Sequence, residues 1–370
     1  MRVVVFSALV CALARPPRTS TRTTVATRAS SPLAPGAGAL FAWTPEPLDS
    51  AGAASCLRDI TSNGTTLFAV GEGGVVLRGA VGAGLAAVLD LGYPYYFYGV
   101  AVVVASAARS RVVVTGFADG GALSQGVALA SLDPRGDAWG APANVSGGTW
   151  LGGPIASVPL GGGAARLVVA SATEAPVWTA DVPAAAPDPV AARWERVAAG
   201  AGWHAGPLVA DAASVVVAGF ELCASRDAAA SFACGAAVDA DGDGGVARDA
   251  RNASRMLVGG GEIAPAARGW VHASADGGRS WGSARALDAP YPIRFVAFLG
   301  AACGRDVAIA AGGDYFAGLG GVYASTDGGR SWALELDTGR EMASCATGPG
   351  FVTCVGSAQG QASVAVTARC

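Results

Sequence analysis

The sequence predicts an all-β fold, a seven-bladed β-propeller of four-stranded blades. Two observations carry this prediction: an eight-residue phrase recurs after 51 residues, and a β-rich run occurs seven times at spacings of 41 to 55 residues. A period of this size in a chain with 54 glycines is typical of radial arrays of small β-sheets. The 52% hydrophobic content supplies enough apolar side chains for one large domain.

The recurring phrase occupies residues 274–281 and 325–332, and seven of its eight positions are identical. Its Asp and Ser side chains can accept hydrogen bonds from nearby amides, its Gly pair supplies positive φ, and its Trp opens the next strand. We therefore expect a structural turn that contains Ser274, Asp276, Gly278, Ser280 and Trp281, and again Ser325, Asp327, Gly329, Ser331 and Trp332. Degenerate copies stand at residues 225–232 and 131–139.

This phrase resembles the Asp box, S-x-D-x-G-x-[ST]-W, of sialidase-like β-propellers, which are also called BNR-repeat proteins. In that superfamily the Asp boxes lie on the face of the propeller away from the active site. The resemblance therefore implies structural roles for Asp276 and Asp327 and directs attention to the opposite face.

The second landmark is an apolar run that ends in a small residue or in a short polar turn. Its seven occurrences begin at Leu67, Val112, Leu167, Val215, Met256, Val307 and Phe351. We interpret each run as strand B of a blade whose strands are named A to D from the central channel outward. The propeller is then expected over residues 48–370, with strands shared between the first and last blades to close the ring.

The N-terminal residues predict targeting segments. Residues 1–14 combine a basic start, an apolar stretch and an Ala12-Leu-Ala14 cleavage pattern, which is typical of a secretory signal peptide. Residues 15–47 are rich in Arg, Ser, Thr, Pro and Ala, and form either a transit-like segment or a linker. No other segment is long and apolar enough to predict a transmembrane helix.

The three asparagines of the chain, Asn63, Asn144 and Asn252, all stand in N-x-Ser/Thr glycosylation sequons. This pattern predicts a glycoprotein that passes through the ER into an oxidising compartment. We therefore expect a secreted or ER-routed protein, with a plastid, in particular the thylakoid lumen, as the alternative.

The cysteines agree with an oxidising compartment. Cys345 and Cys354 flank a Thr-Gly-Pro-Gly turn and are expected to form a disulfide across a hairpin, and Cys223 and Cys234 flank another candidate hairpin. Cys56 could join Cys370, but the sequence leaves the connectivity open. The absence of CxxC pairs and the isolation of both histidines argue against a zinc site.

On the face opposite the repeated phrase, four D–A links place an aromatic residue near a proline. These residues are Tyr93, Trp150, Trp203 and Tyr291. Two interpretations remain open: the rings fill gaps between blades, or they form a stacking platform for sugar rings or a protein loop.

Carboxylates recur in the B–C turns of the same face. They are Glu72, Asp119, Glu174, Glu221, Glu262 and Asp314. The pattern predicts either an acidic mouth that would suit a cation, a basic partner or sugar hydroxyls, or ordinary solvated turns.

Residues 239–250 resemble an EF-hand-type calcium loop. Asp239, Asp241 and Asp243 take its first, third and fifth positions, but the twelfth position is Ala250 instead of the bidentate Glu. We therefore expect either a weak calcium site or a flexible acidic loop, and no cofactor that the protein requires.

The first repeat, with Leu57-Arg58-Asp59-Ile60 followed by the run 67–77, resembles repeats of the photosystem II stability/assembly factor family. That family consists of non-catalytic seven-bladed propellers of the thylakoid lumen with an Arg-rich binding face. Arg58 and Arg294 take comparable strand-A positions here.

Taken together, the sequence favours a non-catalytic propeller that binds a protein or glycan partner on the face opposite the repeated phrase. We predict no catalytic residue, and a secreted sialidase-like glycoside hydrolase is the alternative. The net charge of −3 gives no support for a nucleic-acid partner, and we expect a monomer.

Overall fold

The computed structural model describes residues 34–369 with gaps at 37–38, 105–109, 121–123, 147–152, 154, 171–175, 184–189, 191–192, 199–207, 211–213, 218–220, 238–243, 263–266, 283–284, 288 and 301–305. Within these ranges the chain forms seven antiparallel sheets, which are the blades of a β-propeller, and its helix content is one short segment. The predicted fold class is confirmed.

The first three blades take their strands in chain order from the channel outward. Blade 1 contains β3 (Leu57–Ser62), β4 (Thr66–Gly71), β5 (Val75–Ala80) and β6 (Ala86–Asp90). Blade 2 contains β7 (Tyr95–Val104), β8 (Ser110–Asp119), β9 (Ser124–Ala130) and β10 (Ala143–Ser146). Blade 3 contains β11 (Ile155–Gly161), β12 (Ala164–Ala170), β13 (Pro176–Val182) and β14 (Trp194–Ala198).

The next three blades repeat the same order. Blade 4 contains β15 (Leu208–Ala210), β16 (Val215–Val217), β17 (Glu221–Ser225) and β18 (Ala233–Ala237). Blade 5 contains β19 (Val246–Asp249), β20 (Asn252–Glu262), β21 (Arg268–Ser274) and β22 (Arg285–Ala286). Blade 6 contains β23 (Ile293–Gly300), β24 (Val307–Asp314), β25 (Leu319–Ser325) and β26 (Ala333–Asp337).

Blade 7 closes the ring with strands from both ends of the chain. It contains β27 (Glu341–Gly348), β28 (Phe351–Ser357) and β29 (Val364–Arg369), and β2 (Ala42–Pro45) pairs with β29 as the outermost strand. The expected sharing of strands is thus present, but the propeller begins ahead of the boundary expected at Leu48. That boundary came too late because a lone four-residue strand carries no repeat signal of its own.

Two further elements precede the first blade. Strand β1 (Ala34–Pro35) adds a fifth strand to blade 6 by pairing with β26, and helix α1 (Ser50–Ala54) lies between β2 and β3. Asp49 caps this helix, because its carboxylate accepts a hydrogen bond from the amide of Gly52 at 2.8 Å. The innermost strands of neighbouring blades pack against each other, including β27 against β3.

The core lies between the faces of neighbouring blades. All eight residues of β24 are buried, as are all seven of β28, because each second strand is covered by a blade on either side. This geometry explains why the seven landmark runs are almost continuously apolar instead of alternating. The buried side chains of blades 1 and 7 share one cluster, which includes Leu57, Leu77 and Phe351.

The repeated phrase forms a C–D turn in blades 5 and 6, as predicted. In blade 6 the Ser325 hydroxyl donates to Asp327 Oδ1 at 2.8 Å and accepts the amide of Gly329 at 2.8 Å. The other carboxylate oxygen of Asp327 accepts the Ser331 hydroxyl at 2.6 Å. The turns at Asp276 and at the degenerate copy Asp227 repeat this network. These carboxylates are used within their own turns, which supports their structural assignment.

Acid is expected to weaken these turns. Desolvation raises the pKa of Asp327, but the hydrogen bonds from Ser331, Ser325 and the amide of Arg330 together outweigh it and lower the pKa to about 2. A carboxylate with a lowered pKa stabilises the fold above its unfolded pKa, so this contribution is lost as the pH falls from about 4 to about 2. Asp327→Ala should lower the free energy of unfolding by about 1–3 kcal/mol at pH 6 and reduce its acid dependence, as measured by urea denaturation. Arg330→Ala, on an exposed side chain of the same turn, is the control and should change neither quantity.

Disulfides join strands within blades 7 and 4. Cys345 pairs with Cys354 across β27 and β28, and Cys223 pairs with Cys234 across β17 and β18. Cys56 is also disulfide-bonded. The predicted signal peptide at 1–14 and most of the segment 15–47 lie outside the described residues as well. Among those described, no helix is long and apolar enough to cross a membrane.

Candidate binding site at the mouth of the channel

The upper face of the propeller is defined here by its B–C turns and D–A links, and the lower face by its A–B and C–D turns. Four of the predicted acids lie at the upper end of a B strand or in the turn that follows it: Glu72, Asp119, Glu262 and Asp314. Glu221 is the first residue of the C strand β17. Trp150, Glu174 and Trp203 lie outside the described residues.

The two Tyr-Pro links have different structures, although their sequences match. Tyr291 is buried between blades 5 and 6, where its hydroxyl is 3.0 Å from the hydroxyl of Tyr323. Tyr93 is 67% exposed on the upper face, and its hydroxyl donates to Asp119 Oδ2 at 3.3 Å. Tyr291 thus fills a gap between blades, whereas Tyr93 presents its ring to solvent.

Tyr93 is one end of a continuous series of side-chain contacts that runs over the upper face from blade 2 to blade 6. The centroid distances are 6.3 Å from Tyr93 to Tyr96, 4.8 Å from Tyr96 to Phe117 and 5.7 Å from Phe117 to Tyr98. The guanidinium of Arg58 then lies 5.6 Å from the ring of Tyr98 and 5.5 Å from that of Tyr315. Tyr315 contacts Phe316 edge to face at 5.3 Å. We call this set the aromatic ladder: Tyr93, Tyr96, Phe117, Tyr98, Arg58, Tyr315 and Phe316.

The two ends of the ladder are exposed and its middle is buried. Phe316 is 50% exposed, whereas Tyr96 and Tyr315 are buried. Asp314 creates this arrangement at the blade 6 end, because its Oδ1 accepts the amides of Phe316 and Ala317 at 2.9 Å each. The backbone of the neighbouring blade 7 supports the turn, since the amide of Gln359 donates to the carbonyl of Tyr315 at 3.0 Å.

Arg58, at the centre of the ladder, belongs to a chain of alternating charges. Its Nε donates to Glu72 Oε1 at 3.2 Å, and its Nη1 lies 3.9 Å from Glu341 Oε2. Glu341 also accepts Arg294 Nε at 3.0 Å. The Arg58 side chain is only 11% exposed. These four side chains carry two positive and two negative charges, so the centre of the mouth is neutral.

The surroundings of Arg58 determine the protonation of its neighbours. Burial lowers the pKa of Arg58, but its neighbours Glu72, Tyr98 and Glu341 together raise it by more, and the net shift is upward. Burial raises the pKa of the Tyr98 hydroxyl and that of the Tyr315 hydroxyl. Arg58 therefore stays charged and both tyrosines stay neutral at physiological pH.

The predicted acidic mouth is not an open ring of carboxylates in the described turns. Glu72 pairs with Arg58, Asp314 caps its own turn, and Asp119 accepts the Tyr93 hydroxyl. Glu262 lies 3.6 Å from Arg268 on the adjacent strand. Each of these carboxylates already contacts a donor of the protein.

Asp59, next to Arg58, connects three blades below the ladder. Its Oδ1 accepts the hydroxyl of Ser344 in blade 7 at 2.7 Å and the amide of Ile60 at 2.9 Å. Its Oδ2 accepts the amide of Val100 in blade 2 at 2.9 Å. Burial raises the pKa of Asp59 to about 6. This carboxylate thus joins blades 1, 2 and 7 where the first and last blades meet.

The sequence prediction missed most of the ladder. The ladder residues Tyr96, Tyr98, Phe117, Tyr315 and Phe316 were not among the predicted site residues, and neither was the neighbouring Glu341. A usable signal was present, because Phe117 and Tyr315 stand within two residues of the predicted acids Asp119 and Asp314. Glu341 takes the first position of strand A in blade 7, two residues before the unpaired position that Arg58 and Arg294 share in blades 1 and 6.

The described residues contain no group of three His, Cys, Asp or Glu side chains that could hold a metal ion. The predicted calcium ligands Asp239, Asp241 and Asp243 lie outside the described residues, so the calcium loop stays a prediction.

Known structures share this architecture at low sequence identity. YCF48 from Cyanidioschyzon merolae is 16% identical, covers 89% of this chain and 98% of its own, and has a TM-score of 0.57. YCF48 bound to D1 peptide is 12% identical, with 89% and 95% coverage and a TM-score of 0.57. A streptogramin B lyase structure is 9% identical, with 89% and 98% coverage and a TM-score of 0.58. These similarities show the propeller fold. No protein-family model and no curated protein matches the sequence.

Proposed function

We propose that this protein is a non-catalytic binding propeller that holds a segment of a partner protein across the mouth of its channel. The observation that carries the proposal is the aromatic ladder, whose buried centre fixes two exposed rings, Tyr93 and Phe316. Large rings held on a rigid support contribute strongly to protein interfaces, because little conformational entropy is lost when they are covered. The two rings belong to blades on either side of the channel and suit an extended segment more than a compact ligand.

The same geometry disfavours the alternative function, sialidase-like hydrolysis. An enzyme of that type needs arginine side chains that are open to the carboxylate of its substrate. The guanidinium of Arg58 already faces Glu72 and Glu341, and Arg294 already donates to Glu341. A substrate carboxylate would have to displace these glutamates from a largely buried cluster, which costs several kcal/mol.

The comparisons support a protein partner without identifying it. One similar structure is named as bound to a D1 peptide, which is compatible with peptide binding by this type of propeller. A role like that of a photosystem II assembly factor, and routing through the ER to the exterior or to a plastid, are parts of this proposal. The acidic segment that contains Asp239, Asp241 and Asp243 could add a weak calcium site, which calorimetric titration with millimolar Ca²⁺ would detect as heat.

A peptide selection tests the proposed site. A random peptide library displayed on phage is selected against the full chain, and enriched peptides are synthesised for affinity measurements. Tyr93→Ala and Phe316→Ala are each expected to weaken binding at least tenfold, because each removes an exposed ring without opening the core. Leu132→Ala is the matched control, since Leu132 is 47% exposed but lies in a C–D turn on the lower face, and it should bind like the native chain.

Other outcomes would overturn the proposal. Enriched peptides that bind the Tyr93 and Phe316 variants as tightly as the native chain would exclude the ladder as the site. Binding on a glycan array, lost in the same two variants and without any enriched peptide, would make the rings a sugar platform. Cleavage of fluorogenic glycosides that disappears in Glu341→Gln would establish the hydrolase.

A further inference from the structure

The glycosylation sequons are a motif that the binding site does not use, and the structure shows where they lie. Asn63, Asn144 and Asn252 are all exposed. Asn63 and Asn252 lie on the lower face, and Asn144 lies on the outer edge of blade 2. An N-linked glycan needs open solvent around its asparagine, and all three positions provide it. The ladder is on the opposite face.

Asn63 occupies the A–B turn of blade 1. Its Oδ1 accepts the amide of Thr66 at 2.9 Å, which fixes the side chain at the tip of the hairpin. The next residue, Gly64, has a φ of +100° and nothing within 4 Å of the position of a Cβ atom. The sequon hydroxyl of Thr65 lies 3.4 Å from Asn63 Oδ1. The hairpin tip therefore has open space around the acceptor residue.

Asn252 is the first residue of β20, directly after the corresponding A–B turn of blade 5, which ion pairs hold in place. Arg251 contacts Asp306 of blade 6 at 2.8 Å, and Arg255 contacts the buried Asp249 at 2.9 Å. Asn252 itself remains exposed and accepts only the local amide of Ser254 among the hydrogen bonds described for it, at 3.1 Å. A glycan at this position would extend from a rigid turn into solvent.

Asn144 belongs to β10, the outermost strand of blade 2, which among the described strands pairs with β9. Its Nδ2 donates to Gln125 Oε1 at 3.1 Å in an exposed contact. Breaking this contact costs little, because both side chains can bond to water instead. An edge strand covered by a glycan is also protected from pairing with another chain.

We propose that Asn63, Asn144 and Asn252 all carry N-linked glycans, which cover the lower face and one outer edge and leave the mouth of the channel clear. In the transfer reaction, the side-chain nitrogen of each asparagine forms a bond to the anomeric carbon of a lipid-linked oligosaccharide. The bond from that carbon to the pyrophosphate of the lipid breaks, and one amide proton leaves. The proposal rests on the ER routing proposed above and is independent of what the ladder binds.

The test uses the full chain with its own N-terminal residues, expressed in cultured human cells. Intact mass before and after digestion with peptide:N-glycosidase F is expected to show three released glycans. Asn63→Gln, Asn144→Gln and Asn252→Gln should each remove one of them, and so should Thr65→Ala, Ser146→Ala and Ser254→Ala. The melting temperature should stay within a few degrees, because all three asparagines are exposed.

A second version of the protein shows the cause if the full chain is not glycosylated. It carries residues 15–370 behind a standard secretion signal, so that entry into the ER no longer depends on the native segment. An unmodified full chain would overturn the proposal. If the second chain is then glycosylated, the native N-terminal segment does not direct the protein into the ER. If the second chain is also unmodified, the three asparagines do not accept glycans. Peptide binding by the triple Asn→Gln variant should equal that of the native chain. A loss of binding in this variant would contradict the proposal that the glycans lie away from the mouth of the channel.

Discussion

Removal of residues 1–47 is expected to prevent the propeller from folding, whereas removal of residues 1–33 is expected to leave it intact. The difference is the short segment that contains β1 and β2. Strand β2 supplies the fourth strand of blade 7, with Ala42–Pro45 paired to Val366–Arg369. Without it, β29 becomes an open edge and the ring loses the connection between the two ends of the chain.

The truncation to residue 48 also removes side-chain contacts that stabilise the propeller. Phe41 is buried in the cluster shared by blades 6 and 7, and deleting a buried Phe costs about 3–5 kcal/mol. The buried carboxylate of Glu335 in blade 6 accepts the amides of Leu40 and Phe41 at distances from 2.8 to 3.2 Å. Glu46, also buried, accepts the amides of Gly82 and Gly84 in blade 1 at 2.7 and 3.0 Å. The loss of the buried Phe41 and of the hydrogen bonds to Glu335 and Glu46 is together comparable with the total free energy of unfolding of a typical domain, about 5–15 kcal/mol.

The two truncations are compared by circular dichroism, thermal melting and the yield of soluble protein. Chain 34–370 should have the same melting temperature as the full-length protein. Chain 48–370 should aggregate or show no cooperative thermal transition. Glu335→Gln is an intermediate variant, because it keeps Phe41 and β2 but weakens the bonds to Leu40 and Phe41, and should melt lower but cooperatively. A stable, cooperative chain 48–370 would show that the segment 34–47 is dispensable and that the boundary expected from the repeats was correct.

The fold could be predicted because its information is local and repeated. Each blade places a middle strand between two neighbours, so the apolar runs are continuous and recognisable in any blade. The turn at Asp327 closes its own hydrogen bonds within seven residues, and the sequence phrase therefore specifies it. Strand β2 was not predicted, because the sequence around residues 42–45 does not match any of the repeats.

The site could be predicted only in part because its contacts join distant residues. Arg58 meets Tyr98 of blade 2 and Tyr315 of blade 6, and no spacing rule connects these three positions. The matching links at Tyr93 and Tyr291 show the limit of pattern reasoning, since a neighbouring tyrosine, Tyr323, decides which ring is buried. The acids were found, but their partners Arg58 and Arg268 were not paired with them, and the prediction of an acidic mouth depended on charge counts alone.

Replacement of Asp59 by alanine is expected to lower the free energy of unfolding by about 3–5 kcal/mol. The substitution leaves the amides of the buried Ile60 and Val100 and the hydroxyl of the half-buried Ser344 without an acceptor, and each buried donor that loses its acceptor costs about 1–3 kcal/mol. It also separates blades 1, 2 and 7 where the ring closes. Urea denaturation at pH 5 measures the effect, and Asp337→Ala, at an exposed carboxylate of blade 6, is the control with a change below about 1 kcal/mol.

The pH dependence of stability separates the charge of Asp59 from its hydrogen bonds. Burial raises its pKa from 3.8 to about 6, so the folded protein binds a proton that the unfolded chain has released. Stability is therefore highest below about pH 4 for this group and falls as the pH rises through about 6, by about 3 kcal/mol in total. Asp327 acts in the opposite direction between about pH 4 and pH 2, so the two carboxylates together stabilise the fold most near pH 4.

Two variants test this assignment between pH 4 and pH 8. Asp59→Asn has no proton to bind, so its stability should be lower than that of the native chain at pH 4 but should not decline toward pH 7. Ser344→Ala removes a hydrogen bond that lowers the pKa of Asp59, so the decline should still begin near pH 4 but continue to a higher pH and be larger in total than in the native chain. A native chain whose stability is constant from pH 4 to pH 7 would contradict the raised pKa. A decline that persists in Asp59→Asn would assign it to another group, because asparagine cannot titrate in this range and the three donors around position 59 remain in place.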